Sequence, residues 1–468
     1  MNQDLKPHLI YLAFFFPPSR ASGVYRAIAT ANVFKKSGWD VTVVTVEKKF
    51  FEEEIGTYDS SLFNDLETGI DVVRVPFTFN AGGYKKAIQK SGWFKANFPR
   101  LYQKVGRLVR TYLFGWFKAN FPRLYQKVGR LVRTYLLDRK RPATRIDKYG
   151  AWIEPAVDVV ERIHEEKPAS HLLATANPFA AFEVAFQIQK KTNIDFSIDY
   201  RDPWTTDVYS GQKANHPKEI FQLERRIIDR ASHVFHVNNA MAEVCRQQYP
   251  KSAGKHLVAP NGFDMKSVAL PSLGDSGSPL VFVMLGTLNP HWPFNEIIEA
   301  WDRARQYLPF NSLLRLGGYL GYFAQSELPL RQLLPDESSG FEYVGPVSKS
   351  EVSNFYRSAS VIIIPASGGP LVTTGKVYEA AAQPNPIVCV QSENGGARRA
   401  LEGRPLVFSC EPSIDAIERA ILDSAASSLR MGEADIKRIR NFAAPFERET
   451  SLKVIVESIG NKVLFSHG

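Results

Sequence analysis

Lys376 and Glu379 are two residues whose types and spacing could do chemistry together. Three positions apart, they share one side of any helix that carries them. Just before them, Thr373-Thr374-Gly375 supplies small residues and free backbone N–H groups where such a helix would begin. A helix start of this kind favours an anion, because unpaired N–H groups and the helix dipole point towards it. A cation beside phosphates and a carboxylate placed for sugar hydroxyls would make a nucleotide-sugar site. A solvated helix ion pair accounts for the same two residues equally well. Two other phosphate-loop readings fail on counting. Gly369 and Gly375 enclose five residues where a Walker A loop has four, and Val377 follows the lysine where that loop has Ser or Thr. The run Gly317-Gly318-Tyr319-Leu320-Gly321 has the wrong spacing for a dinucleotide fingerprint.

Strands must flank this pair to hold it. Val361–Ile364 is a short β-branched run, as a strand buried on both faces should be. A loop from Pro365 to Pro370 follows, and a helix is expected from Lys376 to Gln383, stopped by Pro384 and Pro386, before the strand Pro386–Val390. The chain opens in the same way. Strand His8–Phe16 leads through a Gly23-containing turn into helix Tyr25–Ser37, followed by strands Asp40–Val46 and Asp71–Pro76. Strands His171–Ala174 and Phe196–Tyr200 end in Asn177-Pro178-Phe179 and Arg201-Asp202-Pro203-Trp204. Ligands gather beyond the C-terminal ends of strands in open α/β sheets, so both loops should rim a cleft. Arg201 and Asp202 read there as catalytic candidates or as a structural ion pair, and Trp204 as an acceptor contact or a core anchor. His233 and His236 flank Val234-Phe235 and read as satisfied strand histidines, not as metal ligands.

At 468 residues, 44% apolar and 23% charged, the chain suits two globular domains. No run approaches the length of a membrane span. Leu9–Phe16 is apolar, yet Asp4 in its flank and Pro17-Pro18 after it argue for a first strand and against a signal peptide. Cys245, Cys389 and Cys410 are odd in number and widely spaced, implying no disulfide framework and suiting a reducing cytoplasm. The net charge of +10 has one address. Residues 92–114 recur at 115–137 with one change, each copy holding five bases and no acid; without those ten, 48 bases face 48 acids. In the first copy Leu101, Val105, Leu108, Val109, Tyr112 and Leu113 form one apolar helical stripe that the bases avoid. Pro99 and Pro122 fit first helical turns, giving two helices. Basic, aromatic-rich amphipathic helices are the composition of a membrane-surface element; a helical hairpin packed on its own domain is the other reading. Loss of flotation with anionic liposomes on deleting Gly115–Leu137 is the test. No nucleic-acid module accompanies the patch.

The stretch from Thr373 through Lys376-Val377-Tyr378-Glu379-Ala380-Ala381-Ala382 resembles the C-terminal signature of the retaining GT-B glycosyltransferases of family 4, also called group 1. Leu371 stands where many members carry a second Glu. Ser22-Gly23-Val24, the Asp-Tyr-Arg-Asp-Pro-Trp run, Pro260-Asn261-Gly262-Phe263-Asp264, Gly286-Thr287 and Val344-Gly345-Pro346 match further family elements in order. The resemblance implies an α/β, GT-B architecture of two Rossmann-like domains facing across a cleft. Residues 1–264 would form the acceptor domain with an insertion at 78–146, 265–279 a linker, 280–450 the nucleotide-sugar domain, and 451–468 a helix returning to the first domain. It implies donor contacts from Gly286, Thr287, Val344, Gly345, Thr373, Thr374, Gly375, Lys376 and Glu379, the last on the ribose. Acceptor contacts would come from Ser22, Asn177, Phe179 and Trp204, and catalytic roles from Asp202, Arg201 and Gly23. The implied activity is transfer of a sugar, with retention, from a nucleotide diphosphate to a glycan or polyprenyl-linked acceptor in cell-surface polysaccharide synthesis. No cofactor is implied, since the nucleotide sugar is a substrate. No Asp-x-Asp motif occurs, so metal-independent catalysis is expected. The implied place is the cytoplasm, peripheral on the inner membrane face through residues 92–137. A nucleotide-sugar epimerase and a non-catalytic nucleotide-sugar-binding subunit stay open as alternatives.

Overall fold

The computed structural model of the chain describes residues 6–55, 58–77, 147–269, 279–289, 292–321, 324–336, 339–366 and 369–466. The tandem repeat, with its expected basic helices and membrane contact, lies outside the described residues, as does most of the linker.

Two parallel sheets organise the rest. The first comprises β1 (His8–Leu12), β2 (Asp40–Val46), β3 (Ile70–Val75), β4 (His171–Ala176), β5 (Phe196–Tyr200), β6 (Val234–His236) and β7 (His256–Val258), ordered β3-β2-β1-β4-β5-β6-β7. Around it lie α1 (Val24–Lys36), α2 (Ile153–Glu166), α3 (Ala180–Thr192), α4 (Lys218–Arg230) and α5 (Asn239–Gln248). The second sheet comprises β8 (Val281–Leu285), β9 (Leu313–Gly317), β10 (Phe341–Gly345), β11 (Val361–Pro365), β12 (Ile387–Val390) and β13 (Val407–Cys410), ordered β10-β9-β8-β11-β12-β13. Its helices are α6 (Phe294–Ala304), α7 (Ala324–Arg331), α8 (Val352–Arg357), α9 (Gly375–Ala381), α10 (Gly396–Ala400), α11 (Ile414–Ser428) and α12 (Glu433–Ala443). The last helix, α13 (Arg448–Ser466), crosses back: Leu452, Ile455, Val456 and Ile459 are buried with Leu9, Tyr11, Val24 and Phe34 of the first domain.

Burial on both faces explains the strand sequences. β1, β4, β5, β11 and β12 are buried at every position, so they read as unbroken apolar or small-residue runs instead of alternating ones. The expected first strand stops at Leu12, short of Phe16. Its apolar continuation serves another purpose: the Phe14 ring packs edge-on against Phe50, Phe77 and Trp152. The helix expected over Lys376–Gln383 runs Gly375–Ala381. Gln383 lies beyond it, its side chain accepting from Ala269 N at 2.9 Å and donating to the carbonyls of Ser267 and Glu379.

In each sheet the strand order reverses once, between β1 and β4 and between β8 and β11. At such a switch point neighbouring connections leave in opposite directions and open a crevice beyond the strand ends. The loops after β1, β4 and β5, and those after β8 and β11, therefore decide what this fold presents to a ligand.

Candidate functional site

At the first switch point the centre is a buried ion pair. Arg26, on the first turn of α1, meets Asp199 of β5 through Nε and Nη2 at 2.9 and 2.7 Å, and its Nη1 donates to the Pro260 carbonyl. Thr175 donates to the same carboxylate at 3.1 Å. Burial pulls the Arg26 guanidinium down, but Asp199 outweighs it and holds the group above its ordinary value. Above this pair Arg201 lies half-buried, its Nε donating to the Ala176 carbonyl and its Nη2 to the Asn177 carbonyl at 2.7 Å. The guanidinium rests directly on Gly23: a Cβ there would fall 1.1 Å from Nη1. Gly23 is thus required by a residue 178 positions away, not by its own backbone, which is ordinary right-handed helix. Asp202 is exposed at the end of β5. Arg201 spends its donors on backbone carbonyls, so the two do not form the ion pair that the sequence left open.

At the second switch point α9 starts just after β11. Lys376 Nζ and Glu379 Oε1 are 2.7 Å apart, with the carboxylate largely covered (17% exposed) and the ammonium at 43%. Among the described residues the N–H groups of Thr374, Gly375 and Lys376 have no acceptor, and Thr374, exposed at the N-cap, does not use its hydroxyl there. Burial pushes the Tyr356 phenol well above its ordinary range, and the Glu379 carboxylate adds to the push. Gly286 and Thr287 follow β8, half-buried, while exposed Val344 and half-buried Gly345 lie at the end of β10.

The two switch points face each other. Tyr25, two residues after Gly23, has its phenol raised by burial, with the charge of Glu379 among the smaller contributions. Lys349 of the second domain sits 4.8 Å over the Tyr25 ring and reaches Asp65 at 3.0 Å and Asp264 at 3.4 Å. Burial lowers the Lys349 ammonium, but these carboxylates, Asp264 first, carry it above its usual value. Arg20 stacks over Tyr319 at 4.9 Å. Tyr25, next to the Gly23 turn, thus lies within electrostatic reach of Glu379 in the other domain.

Two whole-length Rossmann-like layers opposed in this way match solved structures from end to end. The fold is GT-B. A glycosyltransferase from Rickettsia africae superposes with a TM-score of 0.63 at 13% identity, over 98% of this chain and 99% of that one. Anabaena HepE in complex with UDP gives 0.58 at 13%, over 98% and 100%. A Listeria monocytogenes structure described as a UDP-N-acetylglucosamine 2-epimerase gives 0.54 at 10%, over 99% and 98%. No protein-family model and no curated protein sequence matches the chain.

Within the GT-B frame several expected site residues change role. Phe179 and Trp204 are both buried and stack face to face at 4.8 Å, with 3° between their planes. Both belong to the first domain's buried core. Thr373 is buried as well; its hydroxyl donates to the Gly396 carbonyl, and its own carbonyl accepts from Asn261. It shapes the loop before α9 instead of reaching into the cleft. Ser22 and Asn177 stay exposed at the first domain's strand ends. Tyr25, Lys349 and Tyr356 went unremarked in the sequence, since nothing local distinguishes a cleft tyrosine or lysine from any other.

His236, Cys245 and His256 bring their ligand atoms within 4.8 Å of one another in the core beneath α5, which is a zinc-like set of types. His236 Nε2 and His256 Nδ1, however, are 2.8 Å apart with rings within 19° of parallel. Two nitrogens on one tetrahedral zinc would stand about 3.3 Å apart, given bonds of about 2.05 Å. The pair shares a proton, and burial, pulling both imidazoles down, favours that neutral form.

Proposed function

We propose that the chain is a glycosyltransferase that transfers a sugar from a nucleotide diphosphate to a glycan or lipid-linked acceptor, with retention and without a metal. The observation that carries this reading is the Lys376–Glu379 pair at the start of α9, placed at the second sheet's switch point and opposed across the cleft by Tyr25 and the Gly23–Arg201 contact. Lys376 would release Glu379 to meet the diphosphate, and Glu379 would accept from ribose hydroxyls. Charge developing on the leaving diphosphate would then be met by Lys376 and the unpaired N–H groups beside it. Asp202, exposed at the end of β5, stands where a carboxylate could face an acceptor hydroxyl. Closure of the two domains would exclude water and protect the donor from hydrolysis.

Incubation with a panel of nucleotide sugars, with and without acceptor glycans, tests the reading. Glu379→Ala should abolish donor binding by calorimetry and leave the melting temperature unchanged. Lys376→Ala should weaken a nucleoside diphosphate more than the free nucleoside. Unaltered donor affinity in both variants would remove the site from α9. The Listeria likeness favours an epimerase as the second reading; isomerisation of a nucleotide sugar with no acceptor present would decide for it.

A further inference from the structure

The five residues that lead into α9, Gly369–Thr373, belong to the second domain by chain position but are fastened to the first. Leu371 is 3% exposed and packs with the first domain's core. Its carbonyl accepts from Asn238 Nδ2 at 2.9 Å, and the same amide lies 3.3 Å from Thr373 Oγ1. Asn261 Nδ2 donates to the Thr373 carbonyl at 3.2 Å. Gly369 lies against the Tyr209 carbonyl so closely that a Cβ would fall 1.9 Å from that oxygen. Tyr209 has little freedom to yield, since Asp207 accepts from the N–H groups of Tyr209 and Ser210 and donates its own to Gln212. Apolar burial, three amide hydrogen bonds and one close backbone approach therefore act on one short segment.

Asn238 is placed to do two jobs. Its oxygen accepts from Met241 N at 2.8 Å and caps α5 of the first domain, fixing the side chain's orientation. With the oxygen committed, the amide hydrogens can only point outwards, to the second domain. We propose that Asn238 is a positioning residue for the donor loop: it locks Leu371–Thr373 onto the first domain and so sets where α9, with Lys376 and Glu379, begins. This rests on the nucleotide-sugar reading of α9. Donor binding and domain closure are then one equilibrium, because the loop that meets the donor is in place only when the first domain holds it.

Asn238→Asp separates the two jobs. Aspartate caps a helix as well as asparagine does, but it sets an acceptor against the Leu371 carbonyl where a donor stood. Hydrogen exchange on the full-length, unliganded protein should show the hydrogen-bonded amides of Val372 and Val377 exchanging about tenfold faster, as expected for losing one to two hydrogen bonds. Exchange in β8–β10 should not move. Gly369→Ala, which drives a methyl into the Tyr209 carbonyl, should reproduce the local exchange by steric means. Calorimetry with UDP, GDP and ADP should find the nucleotide that binds the parent protein bound about tenfold more weakly by Asn238→Asp. Unchanged exchange at Val372 and Val377 in both variants overturns the proposal. So does nucleotide affinity equal to the parent's in Asn238→Asp. Faster exchange with no nucleotide bound even by the parent protein keeps the loop's fastening and sinks the nucleotide-sugar reading instead.

Discussion

Gly23→Ala should change the sign of its effect with the residue at position 201. In the parent protein a methyl at Gly23 would lie 1.1, 2.2 and 2.8 Å from the Nη1, Cζ and Nη2 atoms of Arg201. No backbone atom stands among those three nearest, so the chain need not shift; the guanidinium must leave. It gives up its bonds to the carbonyls of Ala176 and Asn177. A hydrogen bond from a charged group contributes roughly 1.5–3 kcal/mol, and Arg201 is half-exposed, so the pair is taken near its lower bound, about 3 kcal/mol. In a domain of this size that lowers the melting temperature by roughly 6–12 °C. Arg201→Ala alone should lose the same bonds and a similar amount. In that background the obstacle is gone. Gly23 has φ −74° and ψ −12° at the start of α1, a conformation alanine adopts freely. There Gly23→Ala should stabilise by about 0.4–1 kcal/mol, through the entropy of the unfolded chain. Scanning calorimetry of the four proteins reads the cycle, with melting temperatures compared because a two-domain chain does not unfold in one step. Additive losses, or a destabilising Gly23→Ala in the Arg201→Ala background, would refute the contact.

Buried His171 donates a second test, through pH. Burial pushes its imidazole down to about 3, so below pH 6.5 the unfolded chain takes up a proton that the folded state refuses. Stability from this group is complete above pH 6.5 and falls as pH drops, by about 2 kcal/mol at pH 5. Thermal melts from pH 7 to 5 should steepen accordingly, and His171→Gln should flatten them; equal slopes would show that His171 is protonated in the fold. Arg26→Met strands the Asp199 carboxylate in the core and should lower stability by about 3–5 kcal/mol, read as a shift of the urea midpoint. A midpoint equal to the parent's would mean that water reaches Asp199.

What the amino-acid sequence determined by itself is everything whose cause is local. Runs such as Val361–Ile364 and Asp40–Val46 announce strands buried on both faces, and Lys376 and Glu379 share a helix face because three residues separate them. Helix α5 was not among the elements expected from the sequence: the Asn-Asn pair at its start reads as a loop until the cap bond of Asn238 is seen. Only the tertiary structure decided which of these pieces meet. Gly23 opens a βα turn in the sequence, and it is the seat of Arg201 in the fold. Trp204 sits in a rim loop by position, and its partner is Phe179, which takes it into the core. Leu371 follows a strand of the second domain and is buried in the first. Propensity and periodicity report on neighbours along the chain, whereas these contacts join residues 25 to 178 positions apart. Their energy comes from burial and from hydrogen bonds made after the strands have paired, and so no window of sequence carries their signature.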